Sequence, residues 1–249
     1  MASRSRPAGG VPSLRVFGGV ELLGTSSEPL ADLLTQTKPL ALLAYLVIAE
    51  PRGHHRRDRL LGLFWPELDE PHARGALRKT LHTLRRGLGE GVVDSRGDED
   101  VGIAPGALAC DALAFDEAIE GGLSARALEL YRGDLLPGFF VREATEFQQW
   151  LDHTRAGYLK QAATAAWILA ERSELDERET AAGGWARRAA MLSPFDERVV
   201  RKALALLGRV GDRAGAVALY ESFRGRLAKE YDVEPARETV ALIRQIRGR

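Results

Sequence analysis

The sequence predicts a mainly α-helical chain in two parts, with small β-hairpins confined to the N-terminal part and an all-α run of helix pairs after it. Three observations carry this. Leucines recur at helical spacing at Leu77, Leu81, Leu84 and Leu88, and just beyond them two short apolar stretches flank a Gly/Asp-rich turn. From about Asp111 onward, amphipathic helical patterns follow one another with Gly and Pro as punctuation. Composition allows a core in each part: of 249 residues, 45% are hydrophobic and 28% charged.

Taken in order, residues 1–12 read as a disordered lead-in, basic but not followed by the apolar stretch of a signal peptide. In SLRVFGGVELLG, Leu14, Val16 and Val20 surround Gly18-Gly19, the pattern of a small hairpin. Gly24 to Pro29 is loop-like. The segment TKPLALLAYLVIAEP then frames a helix between Thr37, a candidate N-cap, and Pro51. Its all-round hydrophobicity predicts deep burial. The apolar run from Pro39 to Ala49 is far short of the roughly 20 residues that span a bilayer. A short helix is expected from Arg56 to Phe64, stopped by Pro66. A longer one follows from His72 to Leu88, with its four leucines on one face and Gly89 as its stop. Val92-Val93 and Val101 to Ala104 then predict a second hairpin. The domain boundary is placed between Gly106 and Asp111, giving domains 13–106 and 111–249.

In the second part, three sets share helical spacing: Tyr158, Ala162, Ala165 and Leu169; Val199, Ala203, Leu206 and Val210; and Ala216, Tyr220, Phe223 and Leu227. The segments ILAERSELDERETAAGGWARRAAMLSP and LLGRVGDRAGAVALYESF look like two turns of one helix-turn-helix unit of tetratricopeptide length. Gly208, Gly211, Ala214 and Ala218 are expected at close helix contacts, and Trp65, Trp150, Trp167 and Trp185 as core anchors.

Several functions find no support in the residues. The phosphate-cradling GxxxxGK[ST] and GxGxxG patterns and the GxSxG nucleophile elbow are missing, so neither an enzyme nor a bound cofactor is expected. His54-His55, His72 and His82 lack carboxylate or cysteine companions at ligand spacing, which argues against a metal. Glu171 and Glu174 read as carboxylates solvating a polar helix face. The single cysteine, Cys110, excludes an intrachain disulfide and suits a reducing, cytoplasmic setting. With 35 basic and 35 acidic residues, any nucleic-acid binding must rest on local charge.

Over roughly Leu14 to Ile246 the sequence resembles the antibiotic-regulatory-protein family of actinobacterial activators. Three stretches carry the resemblance: Lys38 to Gly89, with the Phe64-Trp65-Pro66 stop before its last helix; ALELYRGDLLPGFF followed by Trp150; and LAKEYDVEPARETVALIRQI near the C-terminus. The resemblance implies a winged helix-turn-helix domain with small β-hairpins, OmpR-type, followed by an all-α tetratricopeptide-like helical-repeat domain, the bacterial transcriptional activator domain. It makes His72 to Leu88 the recognition helix and Val92 to Ala104 the wing. The wing departs from the family pattern: Asp94, Asp98, Glu99 and Asp100 oppose Arg96 alone.

On the recognition helix, Arg74, Arg85, Arg78 and His82 fall within roughly an 80° arc beside the leucines, with Lys79 and Arg86 further round. No acid occurs between His72 and Leu88. These six are the candidate DNA contacts, arginine being able to grip guanine bidentately and both Arg and Lys to neutralise phosphates. Arg56, Arg57 and Arg59 at the start of the preceding helix, and Arg96 in the wing, are the candidate phosphate contacts. The expected function is sequence-specific regulation of transcription, as an activator, with double-stranded DNA as partner. The helical domain is expected to contact RNA polymerase or a second copy of the chain, and no membrane. The alternative is a helical-repeat interaction scaffold whose degenerate winged helix has lost DNA affinity.

Overall fold

A computed structural model describes residues 10–25, 28 and 30–248. The expected disordered lead-in falls largely outside them, except that Pro12 is buried and its carbonyl accepts a hydrogen bond from the Ala109 amide at 2.9 Å. The contacts form two compact units. One comprises residues up to Glu117 together with Leu130–Arg155, the other Ala118–Glu129 together with Ala156–Arg249.

In the first unit, strands β1 (Ser13–Arg15) and β2 (Glu21–Leu23) form the expected hairpin, with Leu14 opposite Leu22. A short helix α1 (Ala31–Leu34) precedes α2 (Thr37–Ile48), in which every residue from Leu40 to Ile48 is buried. Thr37 lies inside α2 and is not its cap; Gln36 holds that place without a side-chain bond. Strand β3 (His54–Arg56), too short to show an alternating pattern, leads into α3 (Arg57–Phe64), which ends at Trp65 before Pro66. Helix α4 (Glu70–Leu88) starts two residues earlier than its leucine spacing shows. Asp69 accepts from the His72 amide at 3.0 Å, and Pro71 suits the first turn.

Strands β4 (Val93–Arg96) and β5 (Asp100–Ile103) form the second hairpin, and β3 joins it in the order β3-β5-β4. Gly102 is required there, because a Cβ would come within 2.4 Å of the Gly53 carbonyl oxygen. A further strand, β6 (Ala109–Cys110), pairs parallel to β1. It hands Asp111 to the start of α5 (Asp111–Glu120), and the carboxylate accepts from the Val16 and Phe17 amides at 2.9 and 3.2 Å.

The unit extends past the expected boundary for a physical reason. Phe115 and Tyr131 pack on Phe17 at 5.5 and 5.1 Å between ring centroids, and Phe147 and Trp150 pack on Phe64 and Tyr45 at 5.0 and 4.8 Å. The Arg155 guanidinium donates to the Leu135 carbonyl at 2.8 Å and also to that of Leu136, so the middle of the GDLLPGFF stretch is tied down. The intervening helix is α6 (Ser124–Leu130), and α7 (Thr145–Leu175) is a 31-residue helix that the spacing reveals only between Tyr158 and Leu169.

The second unit contains α8 (Glu179–Met191), α9 (Glu197–Arg209), α10 (Arg213–Tyr231) and α11 (Arg237–Gly248). Its core is built from Ala182, Ala186, Ala203, Leu206, Leu207, Phe223 and Ile243, among others. The small residues serve unequally. A Cβ on Gly208 would sit 3.1 Å from Ile246, whereas Ala214 and Ala218 are exposed and mark no close contact. Trp65 is buried, but Trp150, Trp167 and Trp185 are half-buried. Glu171 and Glu174 do more than solvate: Glu171 accepts from the Trp167 indole at 2.7 Å, and Glu174 binds Arg209 bidentately at 2.7 and 2.9 Å.

Candidate nucleic-acid interface

Helix α4 has two faces of opposite character. Ala73, Leu77, Thr80, Leu81, Leu84 and Leu88 are buried, packed against α2, α3, α1 and β4. Burying four leucines contributes on the order of 6 to 12 kcal/mol in transfer free energy before entropy is charged, so this face fixes the rotation of the helix. The basic residues are thereby sorted by their angle from the leucines.

Those nearest the core are captured by neighbours. Arg85 is half-buried; its guanidinium donates to Ser95 Oγ at 2.8 Å and to the Val93 carbonyl at 3.4 Å, tying α4 to β4 of the wing. Arg57 donates to the same Ser95 Oγ at 3.3 Å. Arg74 pairs with Glu70 at 2.8 Å and with Asp58 on α3 at 3.1 Å. Both pairs are exposed and worth about 1 kcal/mol or less.

Those further round are free. Arg78, Lys79, His82 and Arg86 are exposed and, among the described residues, make no side-chain ion pair or hydrogen bond. At about 100° per residue, Arg78, His82, Arg86 and Lys79 span an arc of roughly 100°. Gly75 projects into the middle of that arc and is itself exposed. The outward face of α4 thus carries a compact cationic strip.

The wing is less acidic in effect than in sequence. Asp94 accepts from the His54 ring at 2.9 Å, and Glu99, in the turn between β4 and β5, forms an exposed ion pair with Arg56 at 3.3 Å. Arg96 is exposed beside the turn that carries Asp98. Beneath the sheet His55 is buried, its ring 5.2 Å from that of Tyr45. Burial, helped by Arg59 and His54, holds its imidazole below the ordinary range, so it is neutral at pH 7. Asp69 is held below the usual carboxylate range by its bonds from His72, which keeps the α4 cap ionised. Cys110 is buried and its thiol is pushed up to about 12, which leaves it protonated and inert. Among the described residues, no group of three His, Cys, Asp or Glu side chains could hold a metal, and no helix is long and apolar enough to cross a membrane.

Sequence reasoning missed the residues that capture the arginines. Glu70 is visible at i,i+4 from Arg74, but Asp58, Ser95 and Glu99 come to the basic residues only through the packing of other elements.

Comparison with known proteins agrees with this architecture. A solved structure described as Mycobacterium tuberculosis EmbR in complex with low affinity phosphopeptide shares the fold, with a TM-score of 0.61 and 19% sequence identity. The likeness covers 95% of this chain and 65% of that one, so this chain spans less than two thirds of that protein's length. No curated protein sequence matches the chain. The profile of the family described as "Bacterial transcriptional activator domain" matches residues 106–247. That match takes in more than half of the chain, and the protein belongs to the family of the bacterial transcriptional activator domain, a family of transcriptional regulators.

Proposed function

We propose that the protein is a sequence-specific DNA-binding regulator that acts as an activator, with α4 entering the major groove. The observation that carries this is the strip of four basic side chains without partners among the described residues, Arg78, Lys79, His82 and Arg86, opposite a leucine face that fixes their direction. An α-helix fits the major groove, arginine reads guanine there, and the remaining cations neutralise phosphate. Arg74 is held by exposed carboxylates and can exchange them for phosphate at small cost. Arg85 and Arg57 act instead by fixing the wing against α4. The second unit supplies protein contacts, with RNA polymerase or a second copy of the chain as the partner.

The test is selection of bound duplexes from a random pool, followed by a salt titration of the enriched site. An enriched motif, and a loss of about 1 to 3 kcal/mol on Arg78→Ala, are expected if that side chain reads a base. If it contacts phosphate, the log-log salt slope falls by about 0.9 instead. A second reading, the interaction scaffold, is favoured by one feature, the turn that sets Asp98 beside Arg96. It prevails if no motif is enriched.

A further inference from the structure

We infer that Gly75 is the point where the backbone of α4 meets the DNA, so that its missing side chain sets affinity. The inference rests on the reading of α4 as the recognition helix. Gly75 lies well inside a 19-residue helix, where glycine costs about 0.5 to 1 kcal/mol relative to alanine. Nothing in the fold asks for it, because a Cβ built there meets no atom within 4 Å. The contrast is Gly87 on the same helix, where a Cβ would strike Leu33 at 2.4 Å.

An open glycine in a helix is not enough, since Gly62, Gly157, Gly184 and Gly225 are equally unhindered. What separates Gly75 is its surroundings. Viewed down the helix axis, and about one turn before Arg78, it projects between Arg78 and His82 on one side and Arg86 and Lys79 on the other, all four exposed and, among the described residues, unpartnered. A gap at the N-terminal end of the cationic strip, on the midline of its arc, lets that end of the helix come closer to the groove floor, which shortens the reach that Arg78 and Lys79 need. Its place in the N-terminal half of α4 is also where recognition helices touch base edges.

The experiment uses the full chain and the duplex enriched from the random pool. Gly75→Ala and Gly75→Leu are compared with wild type, with Gly225→Ala on α10 as the control for replacing an open helix glycine. The expected result is a melting temperature equal to or above wild type for both alanine variants. Affinity should be unchanged for Gly225→Ala, lowered about tenfold for Gly75→Ala and lowered further for Gly75→Leu. Wild-type affinity in both Gly75 variants overturns the inference while leaving the recognition helix standing. Failure of the wild-type chain to enrich any duplex overturns both.

Discussion

The sharpest consequence of the geometry is that two arginines on one helix, seven residues apart, should fail in different ways when removed. Arg85→Ala deletes a donor bonded to Ser95 Oγ at 2.8 Å and, more weakly, to the Val93 carbonyl at 3.4 Å. A charge-assisted bond in a half-buried site is worth about 1.5 to 3 kcal/mol, and solvent access at Arg85 brings this down to about 1 to 2 kcal/mol. The second donor on Ser95, Arg57 at 3.3 Å, limits the loss further. In a unit of this size the loss lowers the melting temperature by roughly 2 to 8 °C. Arg78→Ala deletes a side chain with no partner among the described residues and should leave stability within about 0.5 kcal/mol of wild type, the range for an ordinary surface position. Urea unfolding of the two variants, followed by near-ultraviolet circular dichroism, reads stability. Binding to the selected duplex, measured at a salt concentration where wild type is half saturated, reads function. Arg78→Ala should lose binding without losing stability, and Arg85→Ala should lose stability first and binding only as the wing loosens. If Arg85→Ala is as stable as wild type while Arg78→Ala is destabilised by 1 kcal/mol or more (about fivefold in the folding equilibrium), the division of the helix into anchored and free cations is wrong.

Two further outcomes follow from the same unit. Leu81→Ala, at a fully buried position in the α4 seam, should cost about 2 to 5 kcal/mol by urea unfolding with an unchanged slope, and a cost under 1 kcal/mol is incompatible with that seam. His55 should make the unit sensitive to acid. In the unfolded chain its imidazole takes a proton near pH 6.5, while in the folded chain burial holds the value lower, so stability is complete above that pH and is lost as pH falls below it, by up to about 1.4 kcal/mol per unit. His55→Phe should flatten the curve between pH 7 and pH 5; identical curves for the two proteins would remove His55 as the cause.

Much of this fold is local and was legible for that reason. The leucine spacing, Gly89 and the valine pairs around a glycine-rich turn are short-range signals, and they place α4 and the wing hairpin to within two residues. The winged-helix and helical-repeat resemblance needed only three stretches of sequence, and the family match over residues 106–247 agrees with it. What the sequence could not carry is whatever depends on pairing across distance. Strands β3 and β6 are two or three residues long and have no pattern of their own; they exist because β5 and β1 offer free edges. Residues 130–155 belong with the first unit because Phe147 and Trp150 complete its aromatic core, a partnership with Phe64 and Tyr45 that no local periodicity encodes. The same holds at the site. A helical wheel gives the angle of each α4 arginine from the leucines, but only the tertiary structure brings Ser95, Asp58 and Glu99 within hydrogen-bond or ion-pair reach of basic side chains, and these contacts are short-ranged enough that this decides which cations are engaged by neighbours and which are left exposed.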